Sequence, residues 1–344
     1  MRSFAMSLVA LSLCAAAVEA QPIMKLPDAS PRARVEQTVG LTDLSVTYAR
    51  PAVKGRKVWG DLVPFGQVWR AGANENTVVS FSTAVTVEGK PLAAGRYGLH
   101  LIPAETGAWT VIFSSNSSNW GSFSYDAKED ALRVPVTPEA APMEERLQYT
   151  IDDVADGAAV LALRWEKLRI SIHIGVDTNA VTVASLRQQL YGLPQFFPKG
   201  WNDAAGWLVA HDTSLDVAAE WVERSLKLQP TFTAHMLKAR LLEKRGDAAG
   251  AKAQRELAIT KGNEVEVNLY GYSLLGAGKT QEAIEVFKRN AKDHPESWNV
   301  HDSLGEALEK AGEKGAAKAS YQQALKLVKD PVQKARLEKT VAGL

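Results

Sequence analysis

The chain has 344 residues, 46% of them hydrophobic, with 40 Lys and Arg against 39 Asp and Glu, a length that suggests two domains each able to bury its own core. Residues 21–176 carry 16 Lys and Arg against 17 Asp and Glu, and residues 177–344 carry 23 against 21, so neither half has the positive excess that would track a phosphate backbone, and nucleic acid is excluded as an expected partner. The only cysteine is Cys14, within the leader described next, so disulfides, thiol catalysis and cysteine zinc sites are excluded from the mature protein.

In chain order, residues 1–20 read as a secretory signal: Arg2 supplies the positive region, Phe4 to Val18 the apolar stretch, and Val18-Glu19-Ala20 a small-x-small cleavage pattern. Cleavage after Ala20 gives an exported protein, periplasmic or extracellular. Lipid anchoring at Cys14 is the alternative, with Leu13 in place of a small residue before it. No other run approaches the roughly 20 apolar residues of a membrane span. Residues 21–33 read as a linker.

From 34 to 175 the apolar residues alternate: Leu44, Val46, Tyr48; Tyr97, Leu99, Leu101; Trp109, Val111, Phe113; Leu147, Tyr149, Ile151; Leu161, Leu163, Trp165; Ile170, Ile172, Ile174. That is the period of half-buried strands, and turn signals such as Glu88-Gly89-Lys90 and Asp156-Gly157 separate them. About nine or ten short strands with no crossover helix predict an all-β antiparallel sandwich or jelly-roll-like barrel. Asp152, Asp153 and Asp156-Gly157 lack the spacing of a calcium loop and read as a hairpin turn. His173 alternates against Ile172 and Ile174, and His100 against Leu99 and Leu101, so both are expected in solvent.

The stretch from Tyr48 to Glu75 concentrates Tyr48, Arg50, Pro51, Lys54, Gly55, Arg56, Gly60, Leu62, Val63, Pro64, Gly66, Val68, Trp69, Arg70, Gly72, Ala73, Asn74 and Glu75. Further on come Ala94-Gly95-Arg96-Tyr97, Trp109 to Phe113, Asn119-Trp120-Gly121, Tyr125-Asp126 and Leu163-Arg164-Trp165-Glu166. Across about residues 30–175 this resembles the bacterial family known as domain of unknown function 2911. The resemblance implies an exported β-rich module, often found beside helical repeats, with no assigned chemistry and no catalytic residue to carry over.

Read for chemistry, the motif offers Arg50, Lys54, Arg56 and Arg70 as donors, Asp61, Glu75 and Asp126 as acceptors, Asn74 and Asn119 as both, and Trp69, Trp120 and Tyr125 as flat faces. Rings beside planar polar groups suit a sugar or a peptide-like ligand. The competing account has Arg70, Glu75 and Asp126 in internal ion pairs and turns while the tryptophans fill the core. A hydrolase would need two carboxylates at a defined separation, from Asp61, Glu75, Asp126 and Glu166. The chain has no Gly-x-Ser-x-Gly elbow or His-Glu-x-x-His pair, so no cofactor or metal is expected.

Residues 176–198 read as a joint. Beyond them the pattern turns to Ala, Leu, Glu and Lys at helical spacing, and the chain aligns on itself: Gly206, Ala239, Gly271 and Gly305 recur at intervals of 33, 32 and 34. This resembles the tetratricopeptide repeat, a helix-turn-helix unit whose small residues let two helices pack closely. The fit is good over 265–332, fair over 199–232 and weak over 233–264, where Arg255 takes the usual aromatic position. About four repeats over 199–344, closed by a terminal helix from Pro331, are expected. Their inner face should carry Trp207, Met236, Arg240, Asn268, Tyr272, Asp302 and Glu306, a mixture suited to a protein or peptide partner. Gly276-Ala277-Gly278-Lys279-Thr280 ends like a phosphate loop, but Ser273 stands where the first glycine belongs, so it reads as an inter-helix turn.

Taken whole, the sequence predicts a non-catalytic exported binding protein, with an envelope hydrolase acting on glycans or peptides as the alternative.

Overall fold

A computed structural model describes residues 26–344 of the chain. The expected signal segment, its cleavage point and Cys14 lie outside the described residues. The chain divides between Val176 and Asp177 into two units, each described by itself.

The first unit is two antiparallel sheets. One has six strands: β1 (Arg32–Val39), β2 (Thr42–Ala49), β3 (Thr77–Phe81), β6 (Gly95–Ile102), β7 (Trp109–Ser114) and β8 (Asp130–Val136), adjacent in that order. The other runs β5 (Lys90–Leu92), β4 (Val85–Val87), β10 (Ala158–Gly175) and β9 (Glu139–Ala155). β1 begins just inside the segment expected as a linker. Two strands are not short: β9 and β10 pair along most of their length, with register shifts on either side of Glu166, which has φ +56°. Such bulges bend a long strand so that it can cross a curved sheet. The hairpin turn expected at Asp156-Gly157 joins them.

Alternation fills the space between the sheets. Leu44, Val46, Leu99, Leu101, Val111 and Phe113 of one sheet and Leu147, Leu161, Leu163, Trp165, Ile170 and Ile172 of the other are all buried. Four indoles cluster at the rim of this space, Trp109 and Trp165 buried and Trp59 and Trp69 partly so: Trp59 lies 5.7 Å from Trp69, 4.8 Å from Trp109 and 5.7 Å from Trp165, and Trp69 stacks on Trp165 at 5.7 Å. Edge-to-face and offset contacts of this kind suit the aromatic quadrupole and add to the area buried.

The second unit is helical. The stretch expected as a joint holds α1 (Thr178–Gln189), capped by the Asp177 side chain, and a short 3-10 turn. Four antiparallel pairs follow: α2 (Pro198–Ala210) with α3 (Leu215–Leu228), α4 (Phe232–Lys244) with α5 (Ala248–Lys261), α6 (Glu264–Gly276) with α7 (Thr280–Asp293), and α8 (Trp298–Lys310) with α9 (Lys314–Leu327). Helix α10 (Pro331–Gly343) closes the array. Caps mark the starts: Thr231 accepts from Ala234 N, Asp247 from Gly250 N, and Asn263 with Glu266 forms a reciprocal capping box. Gly278 has φ +75° in the α6–α7 turn, so the phosphate-loop lookalike is a helix junction.

The repeated small residue has a visible job in two pairs. A Cβ on Gly271 would lie 2.5 Å from the Phe287 ring, and one on Gly305 2.8 Å from the Tyr321 ring. Phe287 and Tyr321 are buried plugs of the core that runs from α6 to α10. In the α4–α5 pair Ala239 replaces the glycine and Arg255 the ring, and Arg255 pairs with Glu243. The consequence is a break in the stack. Helix α3 packs on α4 and α7 on α8, but α5 and α6 pack far more loosely, and the buried cluster of α2–α4 is distinct from that of α6–α10, which only the partly buried Phe232 of α4 and Ile259 of α5 reach from the other side. A cleft of about 810 Å³ opens there, lined by Arg255, Ile259, Tyr270, Leu274, Val286 and Arg289 among others.

Candidate functional site

In the first unit the motif residues separate into three groups. Arg50, Lys54, Arg56 and Asp61 shape the loop after β2. Arg50 donates to Leu147 O (3.0 Å) and Gln148 Oε1, Arg56 donates to Val53 O and Ala52 O, Lys54 N donates to Glu145 Oε1, and Asp61 pairs with Lys57. The structure does not bring these four to the remaining candidates. Trp69 belongs to the indole cluster, its Nε1 donating to Gly72 O at 3.1 Å.

The third group gathers on the outward face of the six-stranded sheet. The chain reaches it through a strained turn: Ala71 (φ +51°) and Asn74 (φ +58°) are both left-handed, which costs a non-glycine residue about 1–3 kcal/mol. The Ala71 carbonyl is held by Thr77 Oγ1 (3.0 Å) and Tyr149 Oη (2.9 Å), and Asn74 Nδ2 donates to Asp28 Oδ2 (2.8 Å). Glu75 is exposed. Next along, Asn76 is buried, and with its amide oriented to satisfy both partners Nδ2 donates to the carbonyls of Asn119 (3.2 Å) and Gly121 (2.6 Å).

Those contacts fold the segment 116–125 over the sheet. Gly98 makes room for it, since a Cβ there would stand 2.5 Å from Asn116 O. Beneath it lies His100, 1% exposed, its Nδ1 3.1 Å from Ser122 Oγ and its ring 5.2 Å from Tyr125. Tyr125 Oη donates to the Asp130 carboxylate and accepts from Arg133, which also pairs with Asp130. The expectation of a solvated His100 is therefore corrected: alternation assigns it to the face opposite Leu99, and a covering loop buries that face. His173, on the open face of β10, is exposed, with Nδ1 at Glu88 Oε1. Burial pulls His100 down to about 4, with nearby Asp130 opposing, and burial together with Asp130 pushes Tyr125 up to about 12.

Arg70 sits against this loop, with Nη1 3.3 Å from where a Gly121 Cβ would be. It has no carboxylate partner among the described residues, its Nε is buried without an acceptor, and burial lowers its pKa. On the same loop Trp120 (61%) and Phe123 (86%) stand exposed, an uncommon position for rings of that size. Asp126 caps the short 3-10 helix before β8 through Lys128 N, and Asn119 Nδ2 donates to Ser124 O. Asn119, Trp120 and Tyr125 thus share one loop, which Arg70 approaches at Gly121, with Asp126 at its edge. Sequence reasoning missed Asn76 and His100; a polar residue interrupting an otherwise apolar central strand was the available signal for His100.

In the helical unit the seven inner-face candidates fall on the first helices of the pairs. Trp207 stacks on His211 at 4.1 Å. Met236 and Arg240 line a groove of about 320 Å³ with Leu269 and Tyr270. Tyr272 Oη contacts Ser303 Oγ (3.2 Å) and donates to Glu306 Oε2 (2.8 Å), and burial pushes it up to about 12. Asp302 pairs with Arg336 through Oδ2 at 2.6 Å. Asn268 Oδ1 and Asp302 Oδ1, at equivalent places on α6 and α8, are buried without any donor.

An antiparallel β-sandwich unit followed by paired, repeat-type helices defines the class. Residues 30–174 match the family described as "Protein of unknown function (DUF2911)", and residues 271–332 match the tetratricopeptide repeat family, as the resemblances in the sequence imply. Together these matches point to a protein-interaction scaffold of unknown activity. No curated protein matches the chain. Among solved structures, it is similar to PilF of Pseudomonas aeruginosa (18% identity, 42% of this chain and 68% of that one, TM-score 0.28). It is also similar to YrrB, titled a TPR protein with an unusual peptide-binding site (15% identity, 46% and 81%, TM-score 0.28). A third is the C-terminal part of a TPR repeat-containing protein from Cytophaga hutchinsonii (16% identity, 46% and 65%, TM-score 0.32). Among the described residues no helix is long and apolar enough to cross a membrane.

Proposed function

We propose that the protein is an exported, non-catalytic recognition protein whose repeat helices hold a peptide segment of a partner protein along the row from Trp207 to Glu306. The observation that carries this is the pair of buried acceptors, Asn268 Oδ1 and Asp302 Oδ1, left without donors at the same place in successive repeats. A buried acceptor without a partner costs about 1–3 kcal/mol. Peptide N–H groups laid along the row supply the missing donors after a small side-chain rotation, while Trp207, Met236 and Tyr272 give apolar contact. Export rests on the signal-like pattern of residues 1–20. The layout of four repeats closed by α10 is part of the same proposal, supported by the pairing of α2 to α9.

For the strand unit we propose a ligand face at Arg70, Trp120 and Tyr125, where an unpaired guanidinium lies beside exposed rings. The hydrolase alternative gains no support from these placements: Asp61 pairs with Lys57, Asp126 caps a turn, and Glu166 accepts from Lys167 N.

The test is affinity capture by the mature protein from the envelope extract of its source, compared with the Arg240→Ala/Tyr272→Ala variant and with Asn268→Leu. Loss of the same bound proteins in both variants, with unfolding unchanged or raised for Asn268→Leu, is expected. An identical captured set would overturn the groove reading.

A further inference from the structure

The outward face of the six-stranded sheet holds a second feature that the sequence motifs do not mark. Arg34 of β1 lies opposite Thr47 of β2, which lies opposite Val78 of β3. One row along, Ser45 of β2 faces Ser80 of β3, which faces Arg96 of β6. With Arg32 these side chains enclose a cleft of about 220 Å³. Three guanidinium groups and three hydroxyls converge on it, and no carboxylate lines it.

The charges there are largely uncompensated. Arg34 pairs with Glu36 at 2.8 Å, but Arg32 and Arg96 have no acidic partner among the described residues, and Ser45, Thr47 and Ser80 make no side-chain hydrogen bond among them. Glu36, opposite Ser45 in the register, is the nearest acid on this face and is held by Arg34, while Asp43, one row further along β2, is engaged by Thr38 Oγ1 at 2.8 Å. The cleft is also bounded, because the segment 116–125 covers the β6 end of the first row at Gly98 and the row beyond it at His100. Like charges gathered on a rigid sheet repel one another, and an anion seated among them removes that repulsion while accepting several charge-assisted hydrogen bonds. The guanidinium fork matches the paired oxygens of phosphate and carboxylate groups, and the hydroxyls supply further donors.

We infer that this cleft binds a small molecule carrying a multiply charged oxyanion group, such as a phosphate ester or a polycarboxylate. The site is separate from the Arg70 face and from the repeat groove, so it does not depend on either proposal above. The alternative is that these arginines only keep the edge strand β1 from pairing with another sheet, a role surface charge commonly serves.

Isothermal titration of the full chain with pyrophosphate, citrate and sulfate separates the two. Binding of pyrophosphate or citrate that weakens at least tenfold in the Arg32→Gln/Arg96→Gln variant is expected. Arg96→Lys, which keeps the charge but loses the fork, should fall between. Preference for pyrophosphate over citrate would point to a phosphate ester as the natural group, and the reverse to a polycarboxylate. All of these side chains except Ser45 are at least partly exposed, so the variants should unfold at the wild-type temperature. Absence of binding by every probe at millimolar concentration, or equal binding by the double variant, overturns the inference.

Discussion

The same substitution at two equivalent repeat positions should change stability in opposite directions. Gly206 and Gly271 stand at matching places in α2 and α6. A Cβ on Gly206 meets only Leu237 Cδ2, at an ordinary 3.8 Å, whereas one on Gly271 meets three atoms of the Phe287 ring between 2.5 and 2.9 Å. Replacing an interior helical glycine by alanine gains about 0.5–1 kcal/mol from backbone entropy and propensity, and nothing offsets this in Gly206→Ala. At Gly271 the Phe287 ring is fully buried between α6 and its neighbours and has no open side to move into. Overpacking of that kind costs about 1–3 kcal/mol, so Gly271→Ala should be destabilised by up to about 2 kcal/mol. For a domain of this size each kcal/mol moves the midpoint by about 2–4 °C. Among the described residues every α-helix lies in the second unit, so circular dichroism at the helical band reports on that unit during heating. A rise for Gly206→Ala with a fall for Gly271→Ala is expected. Equal stabilisation of both would refute the claim that Phe287 plugs against the glycine.

Acidification should weaken the strand unit through His100. Its folded value of about 4 lies below the ordinary 6.5, so between those values the unfolded chain binds a proton that the folded chain does not. Stability therefore falls as pH drops through that window, by up to about 3 kcal/mol at 1.36 kcal/mol per unit, and His100→Phe should flatten the dependence in urea titrations; an unchanged slope would place the effect elsewhere. Trp69→Ala, which removes a partly buried ring stacked on Trp165, should cost about 1–3 kcal/mol, while Trp120→Ala should stay within about 0.5 kcal/mol. A large loss at Trp120 would show that its ring is structural rather than available to a ligand. Asn76→Ala should free the segment 119–121, seen as faster hydrogen exchange there, since Gly121 O loses its donor and Asn119 O keeps only the Asn76 backbone N–H; unchanged exchange would show that other contacts hold it.

Much of the architecture was legible because it depends on local period. Leu99 and Leu101 against Gly98 and His100 announce a strand, and Gly271 with Phe287 or Gly305 with Tyr321 announce paired helices. The weak fit at Arg255 was also readable, and it marks the place where the stack opens. The candidate site was legible only in part. Asn119, Trp120 and Tyr125 fall on one loop that Arg70 approaches, but nothing in their spacing separates them from Arg50, Arg56 and Asp61, which brace a different loop.

By itself, then, the sequence determined the change from a two-residue to a helical rhythm near Asp177 and the small-residue repeat that follows, since both are properties of neighbouring positions along one chain. Only the tertiary structure decided that His100 is buried, that Trp69 packs into the indole cluster while Trp120 is open, and that Arg32, Arg34 and Arg96 share one cleft. Alternation assigns a side chain to a face of a sheet, but whether that face is covered, and by which distant segment, is settled when strands far apart in sequence come to lie side by side.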